Sequence, residues 1–383
     1  TEFKDYDFEG SGLSALLDVL AYNTHYLGFN ANMLANEMFL DSSQLRSSVV
    51  SHAKTLGYTT RSATASNAVV DIFLNTTNAS ATMPAGTVFS ASVDDVSYQF
   101  VTISDVTAFN SGSNIVFDDI RIYEGSYVSS RYVVDTQNVE QRFLINDDRA
   151  DTTTLSVKVQ NSATDTTQTT FTQSTDISGL TSTSNVYFLQ EVEDGQYEIY
   201  FGDGILGSAI EDGNIIIMQY VVTNKGAANG ASAFTSSSAI DTVNSVNVAT
   251  VSNSAGGSEP ESIESIKYNA PLDYASQGRC VTTEDYKTYV KQLFANTQAV
   301  SVWGGEDGSF SDVSGVSDVA EYGKVFISVK STTGLNLNEV QKSQLVTDLS
   351  PYTVASITPV AAHPQTPTPE HPRPPNERTP PPP

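Results

Sequence analysis

The spacing of apolar positions changes along the chain, and each change marks a boundary. Over residues 1–57 the spacing is helical. Stepping about 100° per residue from Gly12 places Leu13, Leu16, Leu17, Leu20, Thr24, Leu27, Leu34 and Met38 on one side of a rod. Tyr22, Tyr26, Phe29 and Met33 fall on the opposite side. A surface helix carries one apolar stripe, not two. A rod buried in its own domain is the alternative, but strand patterns begin soon after and supply little helix to bury it. One face is therefore expected to meet another chain. Gly28 leaves a second arrangement open, because a break there would assign the two faces to different segments. Asp41 and Gln44 mark another helix start, carried by Leu45, Val49, Ala53 and Leu56 and closed by Gly57 as a left-handed cap.

From Tyr58 to Ser254 the period shortens to that of strands. AVVDIFL (68–74), SYQFVTI (97–103), TLSVKVQ (154–160) and NIIIMQYVVT (214–223) alternate or run apolar between Gly, Asn and Asp turns. Glu193 to Gln196 reads as a hairpin turn, with Asp194-Gly195 as its local signal. Helical spacing returns between Gly256 and Phe294. A Gly-Gly turn opens this stretch, Ile263 and Ile266 begin a short helix, and Pro271 is expected to end it. Thr282 and Asp285 then form a capping box, followed by Tyr286, Tyr289, Val290 and Leu293 on one helical face. Beyond it the pattern is α/β. Strands are expected over 298–304, 324–330 and 353–360, with a polar loop from 305 and a helix carrying Leu337, Val340, Leu345 and Leu349. After His363 proline dominates, which predicts an extended, disordered tail, more in keeping with a truncation, a shifted reading frame or an assembly artefact than with a recognition arm. Because the chain starts at Thr1, further residues are expected before it.

The expected fold class is thus α+β multidomain. It comprises a helical N-terminal segment (1–57), a central β-rich domain (58–255), a helical connector (256–296), a small C-terminal α/β domain (297–362) and the disordered Pro-rich tail (363–383).

Charge narrows the function classes. Nineteen Lys and Arg against 44 Asp and Glu give a net charge of −25. Phosphate backbones and anionic membranes need clustered cations, so no nucleic acid and no membrane partner is expected. The single cysteine, Cys280, excludes an internal disulfide and a multi-cysteine metal site. No apolar run approaches the ~20 residues of a membrane span, and folding in a reducing cytoplasm is expected.

Candidate chemistry is sparse. Gly202-Asp-Gly204-Ile-Leu-Gly207 follows a strand and matches a dinucleotide fingerprint, but a β run follows where the phosphate-binding helix should start. A tight turn needing positive φ is the better reading. His25 and His52 lack ligand-type neighbours, and acidic pairs such as Asp94-Asp95 read as solvated turns. Cys280 stands beside Arg279, which could lower its pKa, but no histidine partner is evident, so a small, partly buried side chain is expected. No catalytic residue, metal site or cofactor is expected.

Several stretches carry a resemblance. Residues 7–58, DFEGSGLSALLDVLAYNTHYLGFNANMLANEMFLDSSQLRSSVVSHAKTLGY, look like the N-terminal region of baseplate wedge proteins of T4-like contractile-tailed phages, within the wider baseplate J-like family. MPAGTVF (83–89) and FGDGILG (201–207) followed by IIIMQY resemble recurrent elements of the J-like β-domain. GGSEPESIESIKYNAP followed by GRCVTTEDY resembles a third signature, matched at Gly278, Arg279, Val281, Thr282, Asp285 and Tyr286. Together they span roughly residues 7–362. The resemblance implies a structural virion protein, assembled in the host cytoplasm and not an enzyme. Such subunits form a homodimer or higher ring around the hub, meet other wedge proteins, and rearrange to trigger sheath contraction. Leu16, Leu20, Tyr22, Tyr26, Phe29 and Met33 are assigned to helix-bundle contacts. Gly202, Gly204, Gly207, Gly278, Arg279, Thr282, Asp285 and Tyr286 are assigned architectural roles, with Arg279 pinning carboxylates or carbonyls. A Ser/Thr-rich tail adhesin or carbohydrate-binding protein is the alternative, and predicts exposed aromatic platforms on β-loops. An enzyme would need two carboxyls ~5–9 Å apart in a pocket.

Overall fold

Helical spacing near the N-terminus becomes a single rod, α1 (Gly12–Glu37), of 26 residues and about 39 Å. Gly28 does not break it, so both apolar faces belong to one helix. The computed structural model describes residues 12–362 except 111, 113, 139–140, 176–178, 193–194, 295–296, 306–320, 332–336, 338 and 355–356. The Pro-rich tail and nearly all of the polar loop expected from 305 lie outside the described residues. The chain divides into two units between Gly278 and Arg279.

In the first unit, α1 leads to α2 (Arg46–Thr55). The start expected from Asp41 and Gln44 is not used. Leu45 occupies the N-cap without a side-chain bond, and the acceptor comes instead from the end of α1. The Glu37 carboxylate takes the N–H of Gln44 at 2.9 Å and that of Leu45 at 3.3 Å, and the Gln44 bond leads in holding this acid below the usual carboxylate range. The C-terminus is a Schellman motif. Gly57 adopts φ +81°, its N–H bonds the Lys54 carbonyl, and the Tyr58 N–H bonds that of Ala53.

Strands then build two large sheets. One orders its strands β14 (Thr235–Ser236), β3 (Val88–Val93), β4 (Val96–Val101), β6 (Asn114–Glu124), β1 (Asn67–Asn75) and β15 (Val246–Ala255). Its alternating inner positions, including Val70, Ile72, Leu74, Phe89, Phe100 and Phe117, form one core. A two-stranded sheet of β2 (Ser80–Met83) and β5 (Val106–Phe109) adds Met83 to that core. The second large sheet runs β7 (Ser126–Val133), β13 (Ile215–Val222), β9 (Ala150–Gln160), β10 (Gln168–Gln173), β11 (Val186–Glu191), β12 (Tyr197–Phe201) and β8 (Phe143–Ile145). β10 and β11 pair in parallel. β11 and β12 form an antiparallel pair from Tyr187↔Phe201 to Glu191↔Tyr197; residues 193 and 194 of the expected turn lie outside the described residues. Ile145, Val157, Phe171, Ile199, Ile216 and Met218 fill the second core.

The chain passes from one sheet to the other through one residue, Gly125, between β6 and β7. It adopts φ +124°, and a Cβ there would stand 2.2 Å from the Val222 carbonyl oxygen. Buried acids staple the same region. Glu124 accepts from Thr223 Oγ1 at 2.7 Å and from the Asn224 N–H at 2.9 Å. Asp151 accepts from the Ala65 N–H at 2.8 Å, and burial pushes its carboxyl above the usual range against these hydrogen bonds.

Helix α3 (Ile263–Ser276) closes the unit, with the Ser262 side chain accepting from the Ser265 N–H. The stop expected at Pro271 is not taken, and the proline sits inside the helix. Ile266 and Ala270 pack against Val49, Val50 and Ala53 of α2, and that burial carries the helix past the lost hydrogen bond. It ends instead at Gln277 and Gly278, both at positive φ.

The second unit holds α4 (Thr283–Leu293), β16 (Thr297–Gly304), β17 (Lys324–Ser331), α5 (Glu339–Leu349) and β18 (Thr358–Ala362). β16 and β17 are antiparallel, while β17 and β18 are parallel. Tyr286, Tyr289 and Val290 of α4 pack with Val302, Ile327, Val329 and Leu345. The third strand begins at Thr358 and not at 353, because Ser350–Tyr352 makes a tight helical turn.

Candidate functional site

The most exposed apolar surface of the first unit is α1 itself. None of its residues is buried. Leu16, Leu20, Tyr22, Phe29 and Met33 are 58, 52, 63, 59 and 40% exposed, and Tyr26 is 47% exposed. Tyr22 and Tyr26 lie one turn apart with ring centroids at 4.5 Å, and Leu13, Leu17, Leu27 and Leu34 are exposed around the other side. Contiguous apolar surface of this kind marks an interaction site.

A polar network fastens α2 and α3 to the second sheet. Arg46 opens α2 and points its planar fork at β11. Its Nε donates to Glu191 Oε1 at 2.6 Å and its Nη2 to Oε2 at 3.0 Å, while Nη1 donates to the Glu261 carbonyl at 2.5 Å. Thr60 also donates to Glu191, and Tyr197 donates to the Thr60 carbonyl at 3.1 Å. A second buried acid, Glu261, lies ahead of α3. It accepts from Tyr58 at 2.9 Å, Ser265 Oγ at 2.7 Å, Asn269 Nδ2 at 3.2 Å and the Arg61 N–H at 3.2 Å. Burial works against the Arg46 charge, but the Glu191 hydrogen bond and charge outweigh it and hold the guanidinium above its ordinary value. Burial and then Glu261 push the Tyr58 phenol up; burial and then Glu191 do the same to Tyr197. These phenols stay protonated donors at neutral pH. The network is a fastening, not a reaction centre: every acid oxygen in it is taken by a donor. No residue in it stood out in the sequence, because Arg46 and Glu191 are 145 positions apart.

The glycine turn after β12 is tightly built. Gly204 and Gly207 adopt φ of +84° and +88°, and a Cβ on Gly202 would stand 2.3 Å from the Leu206 carbonyl oxygen. Asp203 Oδ1 accepts the N–H groups of Ile205 at 2.9 Å and Leu206 at 3.0 Å. The chain reaches β13 without a helix, so the turn has no phosphate-binding helix N-terminus.

In the second unit Thr282 caps α4, and Asp285 returns the bond at 2.7 Å in a full capping box. Tyr286 is buried in the core. Gly278, at φ +75°, ends the first unit. Arg279 departs from the role expected of it. It is exposed and makes no hydrogen bond or ion pair among the described residues, so it pins neither a carboxylate nor a carbonyl there. The Cys280 thiol is pushed up to about 12, by burial first and Asp285 second; a neighbouring arginine does not activate it. Among the described residues no group of three or more His, Cys, Asp or Glu is placed to hold a metal ion, and no helix is long and apolar enough to cross a membrane.

Three family models match successive parts of the chain. "Baseplate wedge protein gp6-like, helical domain" matches residues 1–58. "Bacteriophage baseplate wedge protein gp6, third domain" matches 130–231, and "Baseplate structural protein gp6, C-terminal domain I" matches 282–362. The chain is also 31% identical over 387 residues to the baseplate wedge protein gp6 of Enterobacteria phage T4, covering 93% of this chain and 55% of that protein. It therefore spans about half the length of this relative. Two solved structures show a weaker likeness. One is a chain of the anti-feeding prophage baseplate, at 13% identity and a TM-score of 0.29, covering 95% of this chain and 75% of that one. The other belongs to the TssK-TssF-TssG baseplate subcomplex of the type VI secretion system, at 8% identity and a TM-score of 0.33, covering 95% and 100%. At those scores neither establishes a shared fold.

Proposed function

We propose, on the premise of three successive matches to domains of one baseplate wedge protein, that this chain is a structural subunit of a contractile phage tail baseplate wedge. Its place is the virion, after assembly in the host cytoplasm. It forms a dimer or higher ring around the hub, meets other wedge proteins, and shifts with them when the sheath contracts. The reading extends to the wider J-like family, with residues 297–362 as a small α/β domain. It makes the chain a scaffold, with no catalytic residue, metal or cofactor.

The observation that carries it is α1. A free-standing helix with apolar side chains all round is stable only when other helices cover it. Burying each Leu, Phe or Met is worth roughly 1.5–3 kcal/mol, so Leu16, Leu20, Tyr22, Tyr26, Phe29 and Met33 suffice to drive a bundle. Tyr26→Asp with Phe29→Asp should abolish self-association or wedge assembly, measured by light scattering, while the far-UV circular dichroism of the sheets is kept. Unchanged association would sink the assignment.

A further inference from the structure

We propose that a groove between the end of α2 and the β11–β12 pair docks an arginine-bearing segment of a partner protein. Its volume is about 420 Å³, within the roughly 300–1,000 Å³ of small-ligand sites. One wall is the β11–β12 surface, where Phe188 and Tyr200 stack with ring centroids at 5.2 Å and planes 21° apart. Tyr200 is 45% exposed. The glycine turn contributes Gly202, Asp203 and Leu206 to the lining, and the opposite rim is the last turn of α2 with Gly57.

The charges of the lining select the occupant. Glu191 is matched by Arg46 and also accepts from Thr60. Lys54, on the α2 rim, acts with its charge on Glu198, which Arg142 grips through bonds of 2.9 and 2.8 Å. Asp203 is the lining acid that no cation of the chain claims. Its Oδ1 accepts the N–H groups of Leu206 at 3.0 Å and Ile205 at 2.9 Å. These bonds hold the carboxyl below its usual range, so it is charged at neutral pH. They also fix its orientation, and no other described residue donates to Oδ2. The groove therefore offers a fixed carboxylate oxygen and an exposed aromatic face, on a chain of net charge −25. Such a field draws cations to the surface. Of the two cationic side chains, arginine fits the pair better. Its flat guanidinium can lie on the negative face of the Tyr200 ring and still direct N–H groups, in its own plane, to a carboxylate. A lysine ammonium is a strongly hydrated point charge and gains less from the ring. The rigid turn at Gly202–Gly207 and the Arg46 network fix both walls in advance, which lowers the ordering cost of binding.

This inference rests on the proposed role only in taking the partner to be a neighbouring baseplate protein. The test is selection of a displayed random peptide library on the full chain, followed by anisotropy of the best labelled peptide at about 0.15 M salt. Selected sequences should carry arginine. Asp203→Asn keeps an oxygen for the two turn N–H groups and removes the charge, while Tyr200→Ala removes the aromatic platform. Each should weaken binding by at least about tenfold, and so should lysine in place of the peptide arginine. Asp94→Asn with Asp95→Asn removes both charges of an exposed turn outside the groove and should leave the affinity unchanged. Both groove side chains are exposed, so circular dichroism should confirm that their variants fold. Enrichment of neutral or acidic sequences, unchanged affinity in Asp203→Asn or Tyr200→Ala, an equal loss in the Asp94, Asp95 variant, or glycan-array binding removed by Tyr200→Ala would each overturn the proposal. The Tyr26→Asp, Phe29→Asp variant should still bind the peptide, so failure of the groove and failure of α1 are read separately.

Discussion

Arg46→Met tests the fastening between helices and sheet most directly. The change keeps an unbranched apolar stem and removes the fork. Glu191, with a side chain 1% exposed, loses two donors and keeps Thr60. Leaving one member of a buried ion pair uncompensated costs about 3–5 kcal/mol. Arg46 itself is 28% exposed, so water can enter the gap and the lower end applies. The lost donation to the Glu261 carbonyl adds about 1 kcal/mol. We expect a total of roughly 4 kcal/mol, a large share of the 5–15 kcal/mol typical of a domain. Adding Glu191→Leu should recover part of this, because the orphaned charge is gone; the double variant should be less destabilised than the sum of the singles. Urea unfolding of the full chain followed by far-UV circular dichroism gives the values. The chain supplies its own control: its single tryptophan is Trp303, buried in the second unit. Tryptophan fluorescence should report an unshifted transition. A loss under about 1 kcal/mol, or strict additivity in the cycle, would refute the reasoning.

Two further outcomes are expected. Cys280, raised from 9.0 to about 12, should resist thiol reagents at pH 8 until the chain unfolds. Across that window the folded unit keeps a proton that the unfolded chain gives up, so stability should fall as pH rises, by up to about 1.4 kcal/mol per unit, and Cys280→Ser should flatten the slope. Gly202→Ala should cost about 1–3 kcal/mol in chemical unfolding, because the new methyl meets backbone atoms of Leu206 and Gly207; an unchanged midpoint would show that the turn can open freely.

What the sequence discloses is what neighbouring residues decide. The capping box at Thr282 and Asp285 is legible because both partners lie within one turn. The two faces of α1 are legible because periodicity is local, and the β11–β12 pairing because alternation and a turn signal sit side by side. Pro271 misleads for the opposite reason: its effect is outweighed by Ile266 and Ala270 meeting α2, a contact that sequence order hides. Asp41 looks like a helix start, yet the acceptor that serves α2 is Glu37, from the helix before. Arg279 invites an ion pair by its charge alone, and the described residues around it supply none. The Arg46, Glu191 and Glu261 network is invisible in the sequence, since each member is an ordinary charged residue until the chain folds.

Gly125 has a mechanical consequence. A linker of several residues between β6 and β7 would act as a spring, and each sheet could recoil without its neighbour. A single glycine pressed against the Val222 carbonyl, with Glu124 bonded across to Thr223 and Asn224, leaves no slack to take up. A displacement of β6 therefore reaches β7 and β13 at this point through direct contact, with no slack segment between them.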